Sequence, residues 1–214
     1  PDRADKIAIY KSLGSTYATE LKDPARAIDT YLNVTNLDEN DAEALDALAR
    51  LYEKTDDHAA SIDALERLAK LQRDPAQQVD LHYRIGVILE EKLGERNDAV
   101  RHYERAIDVD PAHLPSLEAL RKVYVDGGDW LAAARTLDQA IQHHTTPRVL
   151  TPLNVELGQI YRERLDEYSR SVACFEAALR HDDANEDAAL PLVDDYVKEE
   201  RFAEALPLLQ LLVK

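Results

Sequence analysis

Small and large apolar residues recur along this chain at helical spacing. Ala27, Tyr31 and Val34 stand at i, i+4 and i+7, one stripe of a helix, and Leu13 and Tyr17 stand at i and i+4 on the segment before it. The pattern then returns. Leu13-Gly14-x-x-Tyr17 reappears as Ile85-Gly86-x-x-Leu89 and Leu157-Gly158-x-x-Tyr161, so the glycines lie 72 residues apart. The same step joins Ala27, Ala99 and Ser171, and also Tyr31, Tyr103 and Phe175. Each 72 divides into 34 and 38, since Ala27 to Ser61, Ala99 to Ala133 and Ser171 to Ala205 are each 34. Three such doublets match the 214 residues to within two. The pattern predicts about twelve helices in six pairs, A then B.

The first-helix column reads Leu13, Leu48, Ile85, Leu120, Leu157 and Leu192, followed by Gly14, Ala49, Gly86, Arg121, Gly158 and Val193. The second-helix column opens on a small residue every time: Ala27, Ser61, Ala99, Ala133, Ser171 and Ala205. A small residue lets two helix backbones approach, and large neighbours fill the grooves around it. Arg121 and Val193 break the small column, which predicts wider A–B contacts in the fourth and sixth pairs. Asp23-Pro24, Asp74-Pro75 and Thr146-Pro147 read as N-cap and first helical residue, and Gly127-Gly128-Asp129-Trp130 as turn, cap and first turn. Longer lead-ins such as Gln72–Gln78 predict one extra turn on the A helices of the third and fifth pairs. Pro191 stands near a helix start, and Pro207 is expected to kink or shorten the last B helix.

A 34-residue period with these columns resembles the tetratricopeptide repeat, two antiparallel helices per unit. The resemblance covers the chain as six repeats, approximately 7–41, 42–75, 76–113, 114–147, 148–185 and 186–214. It implies an all-α fold, a right-handed α-α superhelical solenoid forming a single domain over 1–214. It also implies a concave surface lined by A helices. The positions facing it are Lys11 and Ser15; Asp46, Arg50 and Glu53; Tyr83, Val87 and Glu90; Glu118 and Lys122; Gln159 and Arg162; and Asp194 and Lys198. A scaffold binding a protein or peptide on that face is the function implied. Two alternatives stand beside it: a module that self-associates end to end through Leu209 and Leu212, and a regulatory or targeting arm of a larger protein. One ligand mode of the family, a Lys and Asn clamp on a C-terminal carboxylate, does not fit. Lys11 and Arg84 match, but Ser15 and Ala47 replace the asparagines and Asp80 would repel the carboxylate.

Composition narrows the rest. Asp plus Glu number 42 against 26 Lys plus Arg, a net charge of −16, which argues against nucleic acid. From His181 to Glu204 nine acidic residues face Lys198 and Arg201; the run reads as a solvated face or as a dock for a basic partner. No run of 18 apolar residues exists, so no membrane insertion is expected, and without a signal peptide a cytoplasmic location is favoured. The lone Cys174 cannot form an internal disulfide and reads as packing. The ten tyrosines against two phenylalanines read as packing whose hydroxyls stay bonded or wet. His143-His144 are adjacent and diverge on a helix, and no phosphate loop, HExxH or Gly-x-Ser-x-Gly occurs. No enzyme, cofactor or metal is expected. Absence of Met and the start at Pro1 read as a piece of a longer protein.

Overall fold

The computed structural model describes residues 2–213. Pro1 and Lys214, the ends of the expected 1–214 array, lie outside them. Twelve α-helices and no strand occur among the described residues. They are α1 Arg3–Thr19, α2 Pro24–Leu37, α3 Ala42–Lys54, α4 His58–Leu71, α5 Pro75–Ile88, α6 Arg96–Val109, α7 Leu114–Gly127, α8 Trp130–His143, α9 Pro147–Glu163, α10 Tyr168–His181, α11 Glu186–Lys198 and α12 Phe202–Leu212. The fold is an all-α solenoid of helix hairpins, and the odd-numbered helices are the A helices.

The chain forms two compact units, Pro1–Asp110 and Pro111–Lys214. In the first, α1 pairs with α2, α3 with α4 and α5 with α6, and α2 and α4 pack on the next A helix. In the second, α7 pairs with α8, α9 with α10 and α11 with α12, and α8 and α10 do the same.

Asp residues start many of these helices. The side chains of Asp2, Asp23, Asp41, Asp57, Asp74 and Asp129 each accept a backbone N–H in the first helical turn, and Asn185 does the same for α11. Part of the acidity is therefore helix capping, favoured further by the helix dipole. Thr146 occupies the expected cap of α9 without a side-chain bond.

Each hairpin closes through one residue in the left-handed region: Lys22, Asp56, Gly94, Gly128, Asp166 and Glu200. They fall alternately 34 and 38 residues apart, which repeats the period of the apolar columns. In the third hairpin a π-turn, Leu89–Leu93, precedes Gly94; a π-turn absorbs one inserted residue without breaking the helix. The expected longer A helices are present. α5 and α9 begin ten residues before Ile85 and Leu157, whereas α7 and α11 begin six before Leu120 and Leu192.

Close approach within a hairpin depends on the glycine column. A Cβ on Gly14, Gly86 or Gly158 would lie 2.8, 2.5 or 2.8 Å from the ring of Tyr31, Tyr103 or Phe175. Where the A residue is Ala49, Arg121 or Val193, the B residue at the aromatic position is Leu65, Leu137 or Leu209. Bulk is thus traded across the pair. The α7–α8 and α11–α12 hairpins approach more sparsely than the others, as Arg121 and Val193 imply.

One expectation needs correction. Leu13, read as a core position, is 40% exposed; α1 packs on α2 with no B helix before it, whereas α3, α5, α9 and α11 also meet a preceding B helix. Pro207 lies inside α12, which runs to Leu212 and, as expected of the last B helix, is shorter than the others, with 11 residues against 14. Pro191 is the sixth residue of α11, and Pro152 occupies the same place in α9.

Candidate interaction surface

The outward positions of the A helices carry charges, and many of these bond to the neighbouring A helix. In the first unit Lys11 Nζ of α1 lies 2.7 Å from Asp41 and 2.9 Å from Glu43, at the start of α3. Arg84 of α5 reaches back to α3, its Nε 2.8 Å from Glu53 and its guanidinium 3.7 Å from Asp46. In the second unit Arg121 of α7 bonds Glu156 of α9 at 2.6 Å. Arg162 of α9 donates two bonds, 2.7 and 2.8 Å, to Asp195 of α11. An exposed pair contributes up to about 1 kcal/mol. The forked Arg162–Asp195 pair is, with Lys11–Asp41, among the least exposed of these and fixes orientation as well as distance.

These contacts sort the expected surface residues. Lys11, Asp46, Glu53 and Arg162 belong to the ion-pair lattice. Tyr83 and Glu90 serve Tyr103: the Tyr83 ring sits 5.9 Å away, and the buried Tyr103 hydroxyl donates to Glu90 at 2.9 Å. Val87 is half-buried. Ser15, Arg50, Glu118, Lys122, Gln159, Asp194 and Lys198 are exposed, with Arg50 bonded to Asp46 along α3. The partners Asp41, Glu43, Glu156 and Asp195 escaped the sequence reading. Their signal is opposite charge about one repeat apart on outward A positions, as for Arg121 and Glu156.

Each unit has a groove on this face. In the first, Asp46, Arg50, Asp80 and Arg84 line a space of about 410 Å³. In the second, Arg121, Arg148, Glu156, Gln159, Asp182 and Asp187 line one of about 830 Å³. Asp46 and Arg50 thus meet around one groove, while Gln159 alone of the expected residues lines the other.

Other buried polar groups bond within the fold. Tyr161 and Tyr196 bury their rings and donate to Asp138 at 3.0 Å and Glu176 at 2.7 Å. Burial and these bonds push both phenols up to about 12. Burial likewise pushes the Cys174 thiol up to about 11, the opposite of an activated nucleophile. His82 and His102 share an Nδ1–Nδ1 contact of 3.3 Å, and His102 Nε2 lies 3.6 Å from Glu66. Burial, with His82 and Arg105 adding to it, pushes His102 down to about 4. One neutral ring then donates and the other accepts. Among the described residues no group of three or more His, Cys, Asp or Glu is placed to hold a metal ion, and no helix is long and apolar enough to cross a membrane.

The profile of the tetratricopeptide repeat matches residues 42–75 and 79–113. No curated protein sequence matches the chain. Several solved structures are similar. MamA is 21% identical with a TM-score of 0.57, over 84% of this chain and 93% of its own. The C-terminal part of a TPR repeat-containing protein from Cytophaga hutchinsonii is 19% identical with a TM-score of 0.54, over 97% and 78%. YrrB, described as a TPR protein with an unusual peptide-binding site, is 15% identical with a TM-score of 0.52, over 84% and 88%. At these identities the likeness is one of fold.

Proposed function

Since the chain belongs to the tetratricopeptide-repeat proteins, a family of protein-interaction scaffolds, we propose that it binds a peptide or an extended partner segment along its A-helix face. The six expected repeats supply that face, and the reading is non-enzymatic. The observation that carries it is the pairing of open, polar-lined grooves with a lattice of A-to-A ion pairs. The grooves leave room for a ligand, and Lys11, Arg84, Arg121 and Arg162 hold their walls at fixed spacing before it arrives. YrrB, with the same fold, is described by its peptide-binding site, which agrees with this use. Affinity capture with the protein, run beside Arg50→Glu and Gln159→Arg, tests it. Both residues are exposed and line grooves, so each variant should fold and lose captured partners. Unchanged capture by both removes the A-helix-face reading, and hydrolase, kinase or redox activity in the purified protein removes the non-enzymatic one.

A second reading has its own observation. Phe202, Leu206 and Leu209 form an i, i+4, i+7 stripe on α12 and are 61, 55 and 42% exposed. Self-association through this stripe predicts a mass above the monomer in light scattering at high concentration. A strict monomer removes it.

A further inference from the structure

Two A helices that contribute to the larger groove, α9 and α11, carry an interior proline. Pro152 is the sixth residue of α9 and Pro191 the sixth of α11, while α1, α3, α5 and α7 carry none beyond the first turn. Proline has no N–H, so each leaves the carbonyl four residues earlier without its helical donor. Those carbonyls belong to Arg148 and Asp187. Both residues line the groove of about 830 Å³, and Pro152, stacked over Arg148 at i+4, lines it too. Pro191 itself is not on the lining; its own carbonyl lies 3.5 Å from Arg162 of α9. An interior helix proline costs about 3 kcal/mol. Here two adjacent A helices carry that cost at the same position, and the two residues whose carbonyls lose a donor both line one groove.

The charges around these acceptors are unbalanced. Asp182 and Asp187 line the groove, with Asp183 and Glu186 beside them in sequence. Among the described residues none of the four is in an ion pair. Asp182 only accepts from Ala184 N and weakly from Asn185. Arg121 on the lining is already bonded to Glu156, which leaves Arg148 as the opposing charge.

We propose that this groove takes an extended, arginine-bearing peptide segment, whose N–H donors bond the freed carbonyls of Arg148 and Asp187 while Asp182 and Asp187 meet its positive charge. The proposal rests on the A-helix-face reading and adds the partner's chemistry and the main-chain acceptors that read it.

The test uses fluorescence anisotropy with a fluorescein-labelled dodecapeptide of alternating Gly and Arg, and a Gly and Glu counterpart. Pro152→Ala with Pro191→Ala restores both helical N–H groups, re-engages both carbonyls and leaves net charge unchanged. This double variant should unfold at higher temperature yet bind the arginine peptide about tenfold more weakly, the loss of two hydrogen bonds. Asp182→Asn with Asp187→Asn should also weaken it, and the glutamate peptide should not bind. Equal affinity in the proline double variant overturns the proposal. If the aspartate variant still weakens binding, the A-helix-face reading survives that failure. No binding of the arginine peptide to the unmodified protein, or equal binding of the glutamate peptide, also overturns the proposal. Capture affected by Arg50→Glu would then still support the broader reading.

Discussion

At Gly86 an added methyl would sit 2.5 Å from the Tyr103 ring, which is itself fully buried and bonded through its hydroxyl to Glu90. Overpacking of this kind costs about 1–3 kcal/mol, set against about 1 kcal/mol gained when Ala replaces a helical Gly. Gly86→Ala is therefore expected to lower the urea midpoint. Gly127→Ala, in the last turn of α7 with open space around the new methyl, is expected to raise it. Adding Tyr103→Leu to Gly86→Ala copies the Ala49 and Leu65 pairing, and a double-mutant cycle should show the two changes partly compensating. His102 gives a pH signature. The unfolded ring titrates near 6.5 and the folded one near 4, so its neutral form contributes stability that is fully present above 6.5. That stability is lost as pH falls from about 6.5 to about 4, on the order of 2–3 kcal/mol in all. Titrating groups packed around it are His82, Glu66, Asp98 and Arg105. His102→Gln should flatten urea midpoints measured between those pH values. The glycine and aromatic columns could be read from the sequence because packing admits few sizes there. The ion-pair partners could not, since Lys11 or Arg84 has several carboxylates within reach and the rotamer decides.

Turns set the register of the elements. Six hairpins need a left-handed residue, and only Gly94 and Gly128 supply glycine there. Lys22, Asp56, Asp166 and Glu200 hold φ between 51° and 60°, a conformation that costs about 1 kcal/mol or more with a side chain present. Asp56→Gly and Glu200→Gly should each raise the thermal midpoint, by about 0.5–1 kcal/mol in stability, despite the looser unfolded chain. Gly128→Ala should lower it. Equal midpoints across the three would mean the turns relax to another conformation. The Asp-Pro pairs made the helix starts legible, because the cap and the fixed φ of proline act locally. The π-turn at Leu89–Leu93 was not legible: one inserted residue can enter a loop or a helix, and only packing on α6 decides between them.

At the scale of the whole molecule the 34 and 38 doublet passes unbroken through Asp110 and Pro111, so the repeat register does not reveal the two compact units. Net charge acts at this scale too. With 42 acidic against 26 basic residues, repulsion among carboxylates opposes the compact state, while the ion pairs, many of them exposed, return up to about 1 kcal/mol each. Salt weakens both, and the excess of 16 negative charges makes repulsion the larger of the two. The capping aspartates are the least affected, since their bonds to backbone N–H are local. Raising the salt from about 0.02 to about 0.5 M, which shortens the screening length several-fold, should therefore raise the thermal midpoint. Removing the forked pair by Arg162→Met should lower the midpoint more at low salt than at high, because Asp195 then adds to the unscreened repulsion. A midpoint that falls with salt would mean that the lattice of A-to-A pairs outweighs the net charge. Arg84, Arg121 and Arg162 would then be the main electrostatic support of the fold.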